Sequence, residues 1–322
     1  MRCLVTGATG YIGSMIIKWL MNKKPDASIT AIVRDVKKAE ARLPREVELI
    51  VSDITDTINM STINGDYDYI IHCASETKSK NMVDYPVETA MGIVDGTKNI
   101  LELAKRCHVK SMVYLSSMEV YGVSDEFGNK RIGEDELGSV DIFNTRSCYP
   151  MAKRMAESLC YYYYKEYGVP VKIARLAQVF GEGVPLSDNR VFAQFAKSVI
   201  NNNDIVLNTD GMSMGNYCEI SDAINAIMIL LNKGNNGESY NVVNEDNTMT
   251  IKAMAELVVN DVAGGSIKVV INQSDANKFG YAPKTGLMLS GEKMIALGWN
   301  PQKNMKQMYL DLIKELKREM RL

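Results

Sequence analysis

Thr6-Gly7-Ala8-Thr9-Gly10-Tyr11-Ile12-Gly13 lies between a short β-branched run, Cys3–Thr6, and a helical pattern, Tyr11–Asn22. Its glycines fall three apart, and each has a separate job. One allows a tight turn, one lets backbone approach a pyrophosphate, and one lets the helix pack against the strand. The helix behind them offers unpaired N–H groups and a positive dipole end to phosphate oxygens. Glycines alone are a weak signal; the strand before them and the helix after them supply the meaning. The stretch reads as a dinucleotide-binding turn, with Gly7, Thr9, Gly10, Tyr11, Ile12 and Gly13 as cofactor contacts.

The pattern continues outward. Strand-like runs fall at Ser28–Val33, Val47–Val51, Tyr69–Cys73, Ser111–Leu115 and Val171–Leu176, with helical patterns at Val87–Arg106 and Pro150–Tyr167. Within Gly96–Arg106, apolar Ile100, Leu101, Leu103 and Ala104 keep a helical period. Strands alternating with helices predict an α/β fold, a doubly wound parallel sheet covered on both faces. Beyond residue 178 the rhythm loosens. Helices are expected at Asn189–Asn201, Ser221–Asn232, Thr250–Val262 and Gln302–Leu322, with strands near Ile205–Leu207, Tyr240–Val243 and Ile267–Ile271. The expectation is a Rossmann domain over 1–178 and a smaller substrate-binding portion over 179–322, with sheet strands shared across the boundary. Ser124–Ser147, polar and rich in Asp, Glu and Gly, reads as a surface loop.

Composition excludes several classes. The 322 residues are 46% hydrophobic and 24% charged, which suits a globular chain rather than a disordered one. Lys+Arg number 37 against 39 Asp+Glu, so nothing points to nucleic acid or an anionic membrane. The six cysteines form no C-x-x-C pair, and no leader or apolar span of about 20 residues is present, which together predict a reduced cytoplasm. Two histidines, His72 and His108, rule out a His-rich metal centre, and no metal is expected. Both read as structural. Acid–base chemistry must then come from Tyr, Lys, Ser, Cys or carboxylates.

Tyr149 and Lys153 answer that need. Four residues apart at a helix start, they share one face. A lysine cation beside a phenol favours the phenolate, so Tyr149 is expected to titrate lower and to take a proton from a sugar or alcohol hydroxyl. Lys153 can also hold the nicotinamide ribose. Tyr161 and Lys165 repeat the spacing in the same helix, but about 18 Å along the axis and about 120° around it. They cannot share a site with Tyr149, so the tyrosines from 161 to 164 read as helix packing or a subunit interface. The cofactor is NAD or NADP. Arg34 stands where an acid usually meets the ribose, which favours a 2′-phosphate, whereas Asp35 would serve NAD; Lys37 and Lys38 follow.

The glycine turn, Leu115-Ser116-Ser117-Met118-Glu119-Val120-Tyr121-Gly122 and Tyr149-x-x-x-Lys153 together resemble the extended short-chain dehydrogenase/reductase family. Within it, the sequence is similar to the NAD-dependent epimerase/dehydratase branch that modifies nucleotide sugars. Lesser matches at Ser52-Asp53-Ile54, Ile71-His72-Cys73-Ala74, Gly96-Thr97, Arg175 to Gly181 and Leu297-Gly298-Trp299 extend the resemblance over nearly the whole chain. It implies that Ser117 hydrogen-bonds a substrate hydroxyl beside Tyr149, and that Asp53 and Ile54 contact the adenine. It also implies that Cys73, Ala74 and Ser75, with Ala177, line the cofactor groove. Helices 96–106 and 150–167 would pair in a homodimer.

Departures bear on the reaction. The acid–base pair of dehydratases before Val-Tyr-Gly is Met118-Glu119 here, so Glu119 remains as a base while the acid position is apolar. The Asn expected before Val-Phe-Gly is Gln178, and the arginine that clamps a diphosphate is Gly215, with Arg190 as a replacement. The leading expectation is an enzyme that oxidises a nucleotide sugar at C4, with net epimerisation, decarboxylation or dehydration. An NADPH-dependent carbonyl reductase and a non-catalytic dinucleotide-binding sensor stay open beside it.

Overall fold

The computed structural model describes residues 1–272 and 284–320. Strands β1 (Arg2–Thr6), β2 (Ser28–Val33), β3 (Glu48–Val51), β4 (Tyr69–His72) and β5 (Ser111–Ser117) come first. After the short β6 (Arg131–Ile132) follow β7 (Val171–Leu176), β8 (Gln178–Phe180), β9 (Ile205–Leu207), β10 (Met214–Glu219) and β11 (Ser239–Val242). The main sheet has seven strands in the order β11-β7-β5-β4-β1-β2-β3, all parallel. Strand order reverses between β1 and β4, which opens a crevice at their carboxyl ends, where open α/β sheets bind ligands.

Alternating side chains divide the sheet's two faces. Cys3, Val5, Ala31, Val113 and Leu115 join one apolar cluster with helix α1 (Tyr11–Lys23) and the returning helix Ile220–Lys233. Leu4, Ile32, Ile70, Met112 and Tyr114 join the other. That second face is covered by the long helices Pro86–Arg106 and Cys148–Tyr167. Both faces are dry, which is why the strands read as β-branched runs rather than alternating ones.

The C-terminal residues divide between two structures. β11 and the helix before it return to the main sheet, while β10 pairs with β8 on one side and β12 (Asn244–Thr250) on the other in a second sheet. Under that sheet Phe180 stacks on Phe192 at 4.5 Å, and the last helix, Met305–Glu319, buries Met305, Met308, Leu312 and Leu316. The sequence carries this helix to Leu322, whose last two positions lie outside the described residues. The helix expected over Thr250–Val262 is α-helical for Ile251–Leu257 and then widens into a π turn, Val258–Val262.

One expectation is corrected. The 124–147 segment is not wholly a surface loop: β6 pairs with Met288–Leu289, and Glu134 is buried where its carboxylate accepts the Asn241 N–H at 2.7 Å. A polar side chain enters the interior because it satisfies a backbone donor there, and composition cannot show that.

Candidate active site

The glycine turn ends β1 at the crevice. Gly7 takes φ +65, and a Cβ on it would lie 2.7 Å from the Ala74 nitrogen. A Cβ on Gly13 would collide with the Gly7 carbonyl. Gly10 occupies the N-cap of α1, and no side chain closes that helix end. Backbone donors are thus left for an anion, so the residues present fit the pyrophosphate of a dinucleotide. His72 braces the floor. Its Nδ1 lies 2.6 Å from Thr6 Oγ1 and its Nε2 3.2 Å from Thr97 Oγ1, while Thr6 Oγ1 also accepts the Ala74 N–H at 3.2 Å. Burial depresses His72 to about 3, so it serves as a neutral strut between strand ends.

At the ends of β2 and β3, Arg34 Nη1 lies 3.7 Å from an Asp53 carboxylate oxygen, both side chains well exposed. Asp35 is committed elsewhere, since its carboxylate caps the next helix by accepting the Lys38 N–H at 3.0 Å. Ile54 presses against Gly96, where a Cβ would come within 2.7 Å of its Cδ1.

The catalytic candidates converge at the end of β5. Tyr149 is the second residue of the helix Cys148–Tyr167, and Lys153 follows one turn later, both buried. Lys153 donates to the Leu115 carbonyl at 2.8 Å, and its ammonium lies 4.7 Å from the Tyr114 ring centre and 5.8 Å from that of Tyr149. Burial brings Lys153 down to about 8, opposed by the Glu157 charge. The expectation that Lys153 lowers the Tyr149 phenol is corrected. Burial pushes Tyr149 well up, Glu119 adds to this, and the Ser117 hydroxyl, Arg146 and the Ser75 hydroxyl pull it back. The reason is geometric: the ammonium's close partner is a backbone carbonyl, not the phenol oxygen.

The substrate side holds what the sequence expected only in part. Ser117 also accepts the Glu119 N–H at 3.2 Å. Gln178 is half-buried opposite Tyr217, and Ala177 donates its N–H to Val242 at 3.1 Å. Cys73 is pushed up by burial and stays a thiol. Arg190 is held by Asp188, with Nη2 at 2.6 Å, and lies 4.7 Å over the Phe192 ring. Gly215 has a steric cause, because a Cβ there would strike the Tyr217 ring. Sequence reasoning missed Arg146, whose guanidinium grips Glu119 at 2.7 and 3.0 Å. Its only signal was a cation three residues before Tyr149.

Fold and site define a class: a Rossmann-type enzyme with a serine, a tyrosine and a lysine set against a dinucleotide turn. The profile of the NAD dependent epimerase/dehydratase family matches residues 3–244, and the chain belongs to that family. It is 29% identical over 315 residues to UDP-glucuronic acid decarboxylase 6 of Arabidopsis thaliana, spanning 95% of this chain and 86% of that one. The fold matches that of UDP-glucose 4-epimerase from Thermotoga maritima with a TM-score of 0.85 at 20% identity, covering 99% and 100% of the two chains. It also matches UDP-glucuronic acid 4-epimerase from Bacillus cereus, solved with UDP-glucuronic acid and NAD, with a TM-score of 0.80 at 20% identity and the same coverage. Among the described residues, no helix is long and apolar enough to cross a membrane. None of their His, Cys, Asp and Glu side chains form a group of three or more able to hold a metal.

Proposed function

We propose that this enzyme acts on a nucleotide-activated sugar by transient oxidation at C4, with Tyr149 as the acid–base residue. The convergence of Ser117, Tyr149 and Lys153 at the end of β5, beside the glycine turn, carries the reading. A nicotinamide dinucleotide held by Gly7, Gly10 and Gly13 would supply reversible hydride acceptance. Ser117 holds the substrate hydroxyl, and Tyr149 takes its proton as the C4–H bond opens. Lys153, anchored on Leu115, would hold the nicotinamide ribose, while the Ser117 hydroxyl, Arg146 and the Ser75 hydroxyl are the groups that pull the Tyr149 phenol back down. Met118 leaves no acid to expel a neighbouring hydroxyl, so decarboxylation and epimerisation fit these residues better than dehydration.

Arg34 supports NADP over NAD, because Asp35 is spent on a helix cap and the exposed guanidinium suits a 2′-phosphate. Gln178 would meet the substrate directly, and Arg190 only after leaving Asp188. The outer stripe of the two long helices supports a homodimer, and the free cysteines support a reduced, cytoplasmic setting.

The test is turnover of a panel of UDP- and dTDP-sugars by the purified protein and by Tyr149→Phe. Cofactor recycled rather than consumed, with turnover cut at least ~1000-fold in the variant, is the expected result. Full turnover by Tyr149→Phe on an identified substrate would remove the mechanism.

A further inference from the structure

Beside Tyr149 lies a charged unit that oxidation at C4 does not require. Glu119, in the 3-10 turn after β5, meets both Nη atoms of Arg146 in a two-point fork. Arg146 belongs to the turn Thr145–Ser147 that delivers the chain into the catalytic helix, and Asn144 fixes that turn by accepting the Arg146 N–H at 3.0 Å. Glu119 donates its N–H to Ser117 Oγ at 3.2 Å, and the Arg146 turn runs directly into the helix that carries Tyr149, so the fork flanks the Ser117–Tyr149 pair from both sides. The fork is also reachable, since the Glu119 side chain is 28% exposed and that of Arg146 14%. Glu119 does not exhaust the guanidinium: Arg146 Nε is buried without an acceptor, a costly state for a charged donor.

We propose that Arg146 recognises a carboxylate on the sugar, as in a nucleotide-linked uronic acid, and that this carboxylate takes the place of Glu119 on the fork. The inference rests on the proposed action at C4. With Tyr149 at the C4 hydroxyl, its near neighbours face C3, C5 and C6, and a uronic carboxylate is C6. A planar guanidinium matches a carboxylate at two points, which a neutral hydroxymethyl group cannot reproduce. Exchanging one carboxylate for another keeps an anion paired with Arg146 and releases Glu119 toward C5, where a base is useful once C4 is a ketone. A neutral sugar has no charge with which to displace Glu119.

The experiment measures calorimetric binding of UDP-glucuronate and UDP-glucose to the dinucleotide-loaded protein, in a Tyr149→Phe background to prevent turnover. The parent is expected to bind UDP-glucuronate at least ~10-fold more tightly, and Arg146→Gln to abolish that preference while UDP-glucose affinity stays within about 2-fold. Glu119→Gln, which removes the competing carboxylate, is expected to tighten UDP-glucuronate by roughly 3–10-fold. An Arg146 that merely braces the turn predicts equal weakening of both sugars and no gain in Glu119→Gln, and either result overturns the proposal. Binding of UDP-glucose without any preference for the acid sugar sinks this assignment and leaves the nucleotide-sugar reading standing. Failure of both sugars to bind, together with no binding across the wider panel of UDP- and dTDP-sugars, removes both.

Discussion

Arg34 and Asp35 are adjacent in sequence and opposite in duty. From sequence alone either could meet the adenosine ribose. The structure separates them: Asp35 caps the helix that follows it, and Arg34 stays beside Asp53. Arg34→Asp is therefore expected to lower the NADP-to-NAD preference by at least ~10-fold, measured as the ratio of dissociation constants by fluorescence titration. An unchanged ratio would show that Arg34 does not read the 2′-phosphate. The proposed catalytic pair divides in the same way. Tyr149 and Lys153 were legible because helical spacing puts them on one face. Their electrostatics were not legible, because the burial that pushes Tyr149 up and the carbonyl that occupies Lys153 belong to other segments.

Among elements, the helix Cys148–Tyr167 is stitched to the sheet by a buried polar joint. Glu157 lies one turn beyond Lys153 and accepts from Arg175 of β7 through Nε at 3.0 Å and Nη2 at 2.7 Å, and from Ser116 of β5 at 2.5 Å. Ser116 sits between Leu115, which holds Lys153, and Ser117, so the joint sets the strand end on which the site is built. Glu157→Leu leaves Arg175 as an uncompensated buried charge and is expected to cost ~3–5 kcal/mol, read from urea midpoints. Adding Arg175→Met should recover much of that loss. A loss below about 1 kcal/mol in the single variant would show that the joint is not coupled to stability. The glycine turn was readable from a strand–turn–helix context. Burial of Glu134 was not, because its partner Asn241 is supplied from more than a hundred residues away.

For the whole molecule, the reversal of strand order between β1 and β4 gathers the glycine turn, residues 73–75 and Ser117 at one edge. The long helices face outward with an apolar stripe. Met151, Met155 and Tyr162 are exposed at 39%, 45% and 53%, with Met91 at 47% on the neighbouring helix. Exposed apolar side chains on two packed helices suit a partner surface, and here the proposed partner is a second copy. Met155→Glu would bury a charge in that interface, so sedimentation should show the wild type as a dimer and the variant as a monomer. A wild type that sediments as a monomer at micromolar concentration would end the proposal.

Strand–helix alternation, the strand–glycine turn–helix unit and the spacing of Tyr149 and Lys153 were all legible in the chain. These depend on neighbours within one or two turns of chain, where spacing and side-chain type suffice. Tertiary structure alone decided that Asp35 caps a helix, that Glu134 is interior, that β11 returns to the main sheet and that Arg146 grips Glu119. The last three join groups well separated along the chain, which only packing and the pairing of polar groups bring within a few ångströms; the Asp35 cap is a contact over three residues, and what the fold settled there is which of two adjacent residues turns to it.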